Sequence, residues 1–420
     1  MKLIIYLSQH RKTLLLFIFS ISILIQLIFL SVFPPATQRN QSSDYLNFYE
    51  PAAQNILIGK GIVDMQGNLS IRYPPGYPVI LSIIFELADL TGLNRFDCIA
   101  GFNVLITAFS CILIFLIAEL IFNTKIGIIS SLIWISYPFN LWLIKQPNSE
   151  IPFMLFFYSG ILYFISGIKK KNLIFILLSG VALAMSALIR PIGILFGLLF
   201  AIALLFYTEL PRAKRIFYSI ILLIGFIITV LPWEFNVLSS TEKFIPLSSG
   251  GPVSITDGLT FAVKAGQGGQ QAPVPKDVMN LMKKIANKSN LNTTGNIFGY
   301  MLEELKNNPL PVLKLFAIKV FRSWYGTDEM WHENYILLIQ FFYVLMAVIG
   351  FILGIKFYKD RILYMIFLLT LVVYFWAMTV VVLSIVRYMI PAMITIIIFS
   401  AVLIENIIKV LTQRINKENI

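Results

Sequence analysis

The chain has 420 residues, 58% of them hydrophobic and 13% charged, and a formal net charge of +12. Water-soluble domains carry about 25% charged residues, so this composition excludes a set of ordinary soluble domains. The basic excess does not point to nucleic acid: lysines and arginines gather in short loops between apolar runs, the pattern of membrane topology and anionic headgroups.

The N-terminus has basic residues followed by an apolar run from Thr13 to Phe33. That order resembles a signal peptide, but the run is long and has no clear small-residue cleavage site, so it reads as a retained first membrane helix. Crossing hydrocarbon takes about 20 apolar residues. By that measure spans are expected near 13–33, 98–121, 126–144, 151–168, 172–189, 191–208, 215–232, 334–356, 361–383 and 388–409. The apolar piece 77–90 is short and interrupted by Glu86 and Asp89; it reads as interfacial or re-entrant, and would be an eleventh span if it crossed.

Charge distribution orients the chain. With 77–90 not crossing and the N-terminus cytoplasmic, Lys2, Arg11 and Lys12, then Lys125, Lys169 to Lys171, Arg212 to Arg215, Lys356 to Arg361, and Lys409 with Arg414 all fall on the cytoplasmic side. A crossing at 77–90 would move every cluster from Lys125 onward outside. The expectation is therefore about ten spans with both termini cytoplasmic, and two large outer regions, 34–97 and 233–333.

In the first region, Tyr45, Phe48, Tyr49, Ala52 and Ile56 recur at helical spacing. Pro51 suits a kink or a fresh helix start, and Gly59 and Gly61 an ending. Asp44 then stands at or beside a helix N-terminus, where capping is one role open to it. In the second region, "SSGGPVSITDG" and "KAGQGGQQAPVPKD" read as loops from their Gly, Pro and Ser density. The "AGQGGQQ" within it lacks the GK[ST] ending of a phosphate loop. Around 310–324, Leu313, Phe316, Ile318 and Phe321 alternate with Lys314, Lys319 and Arg322, which reads as a basic amphipathic helix lying on the membrane. Cys98 and Cys111 read as buried inert thiols rather than a disulfide. His10 and His332 match no metal spacing.

In this topology the conspicuous polar residues at span ends share the outer side: Asp44, Glu150 in "KQPNSEIP", Arg190 in "LIRPIG", Glu234 in "LPWEFN" and Arg387 in "IVRYMIP". Charges at membrane depth are costly and mark function by default. Snorkelling or helix-tying is as open to Arg190 and Arg387 as ligand contact, Glu234 suits a structural role, and Glu150 suits either. Two carboxylates beside guanidiniums on an apolar rim fit one task well. A carboxylate can take the proton of a hydroxyl, and fixed positive charge can stabilise a departing phosphate.

The segment "SSDYLNFYEPAAQNILIGKG…IRYPPGYPVIL" resembles the first outer loop of GT-C-fold glycosyltransferases. More narrowly it is similar to bacterial members related to protein O-mannosyltransferases and the lipid A aminoarabinose transferase. The resemblance continues through "SYPFN…NSEIP", "LIRPIG", "LPWEFNVLSSTEKFIPLSSGGP", "NNPLPVLKLFAIKVFRSWYG" and "VRYMIPAM". It implies an all-α polytopic membrane protein of GT-C-like fold, with about 10–11 transmembrane helices. Its parts would be a catalytic transmembrane module over 1–232, an outer loop over 233–333, and a C-terminal hairpin, last span and cytoplasmic tail over 334–420.

The activity so implied is transfer of a hexose or pentose from polyprenyl phosphate to an acceptor hydroxyl at the outer face of the plasma (inner) membrane. Asp44 would be the base and Glu150 would orient the acceptor or share that role. Arg72, Tyr73, Tyr77, Arg190, Arg322, Arg387 and Tyr388 would bind the lipid phosphate and sugar. The implied partners are the polyprenyl-phosphate sugar, a glycolipid, glycan or protein acceptor, and membrane lipids. No cofactor is required; a divalent metal, Mg or Mn, shared by the two carboxylates is an open addition. The chain departs from the family where Tyr73 replaces a lysine before Pro74-Pro75, where Phe235 replaces an arginine before Asn236, and where Asp44-Tyr45 replaces an acidic pair; the last weakens a protein O-mannosylation reading. An envelope polysaccharide polymerase or ligase, and a lipid-linked glycan transporter or flippase, are the alternative readings.

Overall fold

A computed structural model describes residues 11–35, 37, 42–263 and 274–418. Lys2, His10 and the "AGQGGQQ" stretch lie outside the described residues. Among those described the chain is helical, with no strand and a single isolated bridge between Val63 and Leu69.

Every expected span is built on helix, though not always one straight helix. Seven are long and apolar enough to cross a membrane: Arg11–Val32, Arg95–Ile121, Glu150–Lys170, Arg212–Thr241, Glu333–Phe357, Lys359–Val381 and Val386–Ile415. The protein is thus multi-pass. The expected span 126–144 is instead a pair, Thr124–Ile135 and Pro138–Ile144, bent by 57°. The cause is local: Tyr137 precedes proline and is extended (φ −70°, ψ 113°), because the proline ring disfavours the helical region for the residue before it. The same effect separates Leu173–Ile189 from the following helix. Arg190 precedes Pro191 and is extended (φ −139°, ψ 127°), and a short 3₁₀ turn leads into Phe196–Phe206.

The ambiguous piece 77–90 is a helix, Gly76–Thr91, of 16 residues. At 1.5 Å per residue it is about 24 Å long, short of the ~30 Å hydrocarbon core. Val79, Ile83, Leu87 and Leu90 form an exposed apolar strip, while Tyr77, Leu81, Phe85 and Ala88 are buried. That two-sided pattern suits a helix at an interface.

The chain divides into two compact units: Met1–Ser248 with Ile349–Phe367 and Ile397–Ile420, and Ser249–Val348 with Leu368–Ile396. In the first, Leu173–Ile189 packs against both Glu150–Lys170 and Arg212–Thr241. Small residues permit the second contact, as in membrane helix pairs generally: a Cβ on Gly180 would lie 2.1 Å from the Leu222 carbonyl oxygen.

In the second unit, the helices Gly251–Leu259, Lys276–Ala286, Thr294–Asn307 and Pro309–Arg322 enclose a core that includes Leu259, Val278, Met282, Ile285, Ile297 and Leu315. The "SSGGPVSITDG" stretch is therefore largely helix rather than loop; Pro252 sits in its first turn, where proline's missing N–H has no partner to lose. The helix Pro309–Arg322 also differs from expectation. Lys319 and Arg322 are buried, whereas Leu310, Leu313 and Phe321 are exposed. Two of its three basic residues thus turn inward, while Lys314 stays partly exposed and pairs with Asp277. Cys98 and Cys111 are both free thiols.

Candidate active site

The first unit gathers six of the nine residues singled out in the sequence. Asp44 begins the arrangement. Its backbone is already helical (φ −64°, ψ −40°) and its side chain makes no capping hydrogen bond, so capping does not account for it. It leads into a π-helical turn, Tyr45–Tyr49, and then the helix Glu50–Leu57 with Pro51 in its first turn. The π-turn is wider than an α-turn and such turns occur often at functional sites. Tyr45 and Tyr49 are buried, Asp44 half-buried.

The chain then returns to this turn. Gly59, Gly61 and Gly67 all have positive φ, which glycine adopts without strain. Asn55 Nδ2 donates to the Val63 and Asp64 carbonyls, and the Asp64 carboxylate accepts from the Gln66 and Asn68 amides. The folded return places Arg72 and Tyr73 on the aromatic side of the turn. The Tyr73 ring lies 4.8 Å from that of Tyr49 and 5.6 Å from that of Phe48. The Arg72 guanidinium stands 5.6 Å from the Phe48 ring and 5.8 Å from that of Tyr73. Its Nε is buried without a hydrogen-bond partner, and among the described residues it forms no ion pair. Burial pushes the Tyr73 hydroxyl's pKa up, and the charge of Asp44 and a hydrogen-bonding interaction with its carboxylate push the same way.

Pro74-Pro75-Gly76 then starts the helix that carries Tyr77, whose ring meets Tyr49 edge-on at 4.9 Å. Gly76 passes against the end of Leu173–Ile189: a Cβ there would lie 2.8 Å from the Leu188 carbonyl oxygen and 2.8 Å from the Ile189 side chain. A backbone oxygen cannot rotate away as a side chain can. Gly76→Ala is therefore expected to cost about 1–3 kcal/mol and to shift the segment carrying Arg190. A lowered Tm with sharply reduced activity is the expected result, measured on the purified protein.

Arg190 ties the end of one helix to the start of another. Its Nη1 is 2.6 Å from Glu150 Oε1 and 2.9 Å from Ser149 Oγ. Glu150 is buried and opens the helix Glu150–Lys170, where the helix dipole favours a negative charge. The loop before it is pinned. Asn103 Nδ2 donates to the Ile144 and Gln146 carbonyls, and Asn148 Nδ2 donates to those of Leu143 and Gln146. Tyr49 is the meeting point of both halves: burial holds its pKa up, Arg190 and an interaction with Ser149 act against this, and Glu150 and Asp44 add to it. Both carboxylates thus act on one tyrosine hydroxyl. No group of three or more His, Cys, Asp or Glu suited to a metal occurs among the described residues.

Glu234 has a structural task. Its Oε1 accepts from the Leu247 amide, while Trp233 Nε1 donates to the Leu247 carbonyl. The remaining three residues belong to the second unit. Arg322 is buried, pairs with Glu333 at 2.7 Å, donates to the Thr327 and Ser384 carbonyls, and stacks over Phe261 at 4.2 Å. This makes it a tie within that unit. Lys319, one turn away, donates to the Val381 and Val382 carbonyls; burial, then the charge of Arg322, lower its pKa to about 7. Arg387 lies 5.7 Å over the Tyr388 ring. Sequence reasoning missed Phe48 and Tyr49 as site residues, taking them only as an apolar helix face, and missed Ser149. Tyrosine rather than leucine or isoleucine at positions 45, 49, 73 and 77 was the available signal.

A profile of the dolichyl-phosphate-mannose-protein mannosyltransferase family matches residues 72–233, a stretch that includes Arg72, Glu150 and Arg190 but begins after Asp44. A search of curated proteins returns no match. Among solved structures, the apo oligosaccharyltransferase of Archaeoglobus fulgidus superposes with a TM-score of 0.61 at 12% identity, over 98% of this chain and 52% of its own. The same archaeal enzyme in complex with an inhibitory peptide and a dolichol-phosphate gives 0.58 at 12% identity, over 97% and 52%. ArnT from Cupriavidus metallidurans bound to undecaprenyl phosphate gives 0.45 at 11% identity, over 92% and 76%. The chain spans about half the length of the archaeal structures it matches. The fold is that of the GT-C glycosyltransferases.

Proposed function

We propose that the protein transfers a sugar from a polyprenyl phosphate to an acceptor hydroxyl at the outer face of the membrane. One observation carries this reading: a half-buried carboxylate without a capping role, Asp44, and a guanidinium without an ion pair, Arg72, flank the same aromatic cluster. A base and a phosphate-binding cation are the two groups that a single displacement needs. The archaeal oligosaccharyltransferase of similar fold, in its complex with a dolichol-phosphate, supports a lipid-phosphate donor.

In this mechanism the acceptor oxygen attacks the anomeric carbon and its proton passes to the Asp44 carboxylate. The bond from that carbon to the phosphate oxygen breaks, and the electron pair leaves with polyprenyl phosphate, whose charge Arg72 stabilises. The product is inverted at the anomeric carbon. Tyr73 orients Asp44, and the Phe48 and Tyr73 rings hold the Arg72 fork. Glu150 and Arg190 neutralise each other and position the second outer segment; they touch neither reactant. Arg322 takes no part, since Glu333 already balances it, and Arg387 and Tyr388 are given no role in this step.

The test is to supply membranes containing the protein with radiolabelled polyprenyl-phosphate sugars and to follow label from lipid to acceptor. Protein-dependent transfer supports the proposal. Label that crosses the bilayer still attached to its lipid would instead make the protein a flippase. Arg72→Gln is expected to weaken donor binding about 10- to 100-fold, since hydrogen bonds to charged groups contribute about 1.5–3 kcal/mol. The effect should appear in KM for the lipid donor, with KM for the acceptor unchanged.

A further inference from the structure

A second cation stands apart from the residues of the proposed reaction. At the end of the first membrane helix, a groove of about 480 Å³ is lined by Val32, Phe33, Pro34, Pro35, Trp142 and Lys145, among others. Phe33 and Trp142 lie 6.2 Å apart, and both are about half exposed. The Lys145 ammonium sits 4.4 Å over the Trp142 ring, and among the described residues it forms no ion pair. Its position is well defined, because the carbonyls on either side of it, of Ile144 and Gln146, are both held by Asn103.

The surroundings indicate what such a cation meets. The helix Arg11–Val32 is little buried within the protein, and Leu24, Leu27, Ile28, Val32 and Phe33 form an exposed apolar path leading to the groove. Tryptophan at this level is characteristic of the membrane–water interface. An anion that arrives along an apolar path to an interfacial lysine is a lipid phosphate, which lysine binds as a point charge. We propose that this groove is a binding site for the phosphate of a membrane lipid, its chain lying along the first helix and its phosphate on Lys145. The site shares no residue with the Asp44–Arg72 cluster, so its existence does not depend on the transferase reading.

Binding of radiolabelled undecaprenyl phosphate to the purified full chain in neutral detergent tests this without turnover. The measurement uses Arg72→Gln protein, which removes the other proposed phosphate cation. Saturable binding is expected to survive in that protein. It should weaken ten-fold or more on adding Lys145→Gln, and also on adding Trp142→Leu in place of it, each variant eluting as a single folded species. Unchanged affinity in the Lys145 variant would overturn the proposal. So would equal binding of undecaprenol, which lacks the phosphate, or displacement by inorganic phosphate at the same concentration. Competition by phosphatidylglycerol would extend the site to lipid phosphates generally, and its failure to compete would restrict the site to the polyprenyl lipid; both agree with the proposal.

Discussion

Replacing Asp44 with asparagine is expected to lower sugar transfer by about 10²- to 10⁴-fold, the usual contribution of a general base, with little change in folding. Asparagine matches aspartate in shape but cannot accept a proton from the acceptor hydroxyl. The substitution should be tolerated because Asp44 forms no cap. Wild-type and Asp44→Asn proteins at equal membrane levels, assayed with the same labelled lipid donor, provide the comparison. Loss of transfer with unchanged Tm and unchanged donor binding would place Asp44 in the chemical step. Equal transfer by both would remove it from that step.

The second large effect concerns stability. Arg190 and Glu150 are an ion pair at 2.6 Å whose carboxylate side chain is 2% exposed and whose guanidinium side chain is 14% exposed. Removing one partner takes from the other buried charge its ion pair, at a cost of about 3–5 kcal/mol. Arg190→Gln alone is therefore expected to lower Tm strongly and to abolish activity through loss of the Ser149–Glu150 segment's position. The double variant Arg190→Gln with Glu150→Gln should regain much of that stability, since no isolated charge remains. Thermal unfolding in detergent measures both, and the coupling between them follows from a double-mutant cycle. Independent, additive effects would show that the pair does not act as a unit.

The spanning helices were legible because hydrocarbon imposes a simple rule. A crossing segment must be long, apolar and internally hydrogen-bonded, and such runs stand out against loops that contain charge. The breaks at Tyr137–Pro138 and Arg190–Pro191 were readable in principle from the proline rule; the expectation of one straight span over 126–144 gave too much weight to apolar length. The second unit was less legible. "SSGGPVSITDG" has the composition of a loop, yet Gly258 lets its helix pass against the Val382 backbone: a Cβ there would lie 1.7 Å from that carbonyl oxygen. Likewise, Lys319 and Arg322 belong to the polar side of a local helical wheel, but Glu333 and the carbonyls of Val381, Val382 and Ser384 draw them inward. Those partners are 11 to 63 residues away, beyond the reach of any periodicity.

The site divides along the same line. Sequence reasoning singled out Asp44, Glu150 and Arg190 as charged groups at the rims of apolar runs, and took Arg72 and Tyr73 from the family resemblance. It did not distinguish paired charges from unpaired ones. Burial of Glu150 against Arg190, and isolation of Arg72 between two aromatic rings, are properties of side chains from different segments meeting in space. Residue type and hydropathy, which are local, determined that this chain is a helical multi-pass membrane protein with charge at its helix ends. Which charges neutralise one another was decided only by tertiary structure, because charges interact over a few ångströms of space whatever their separation along the chain.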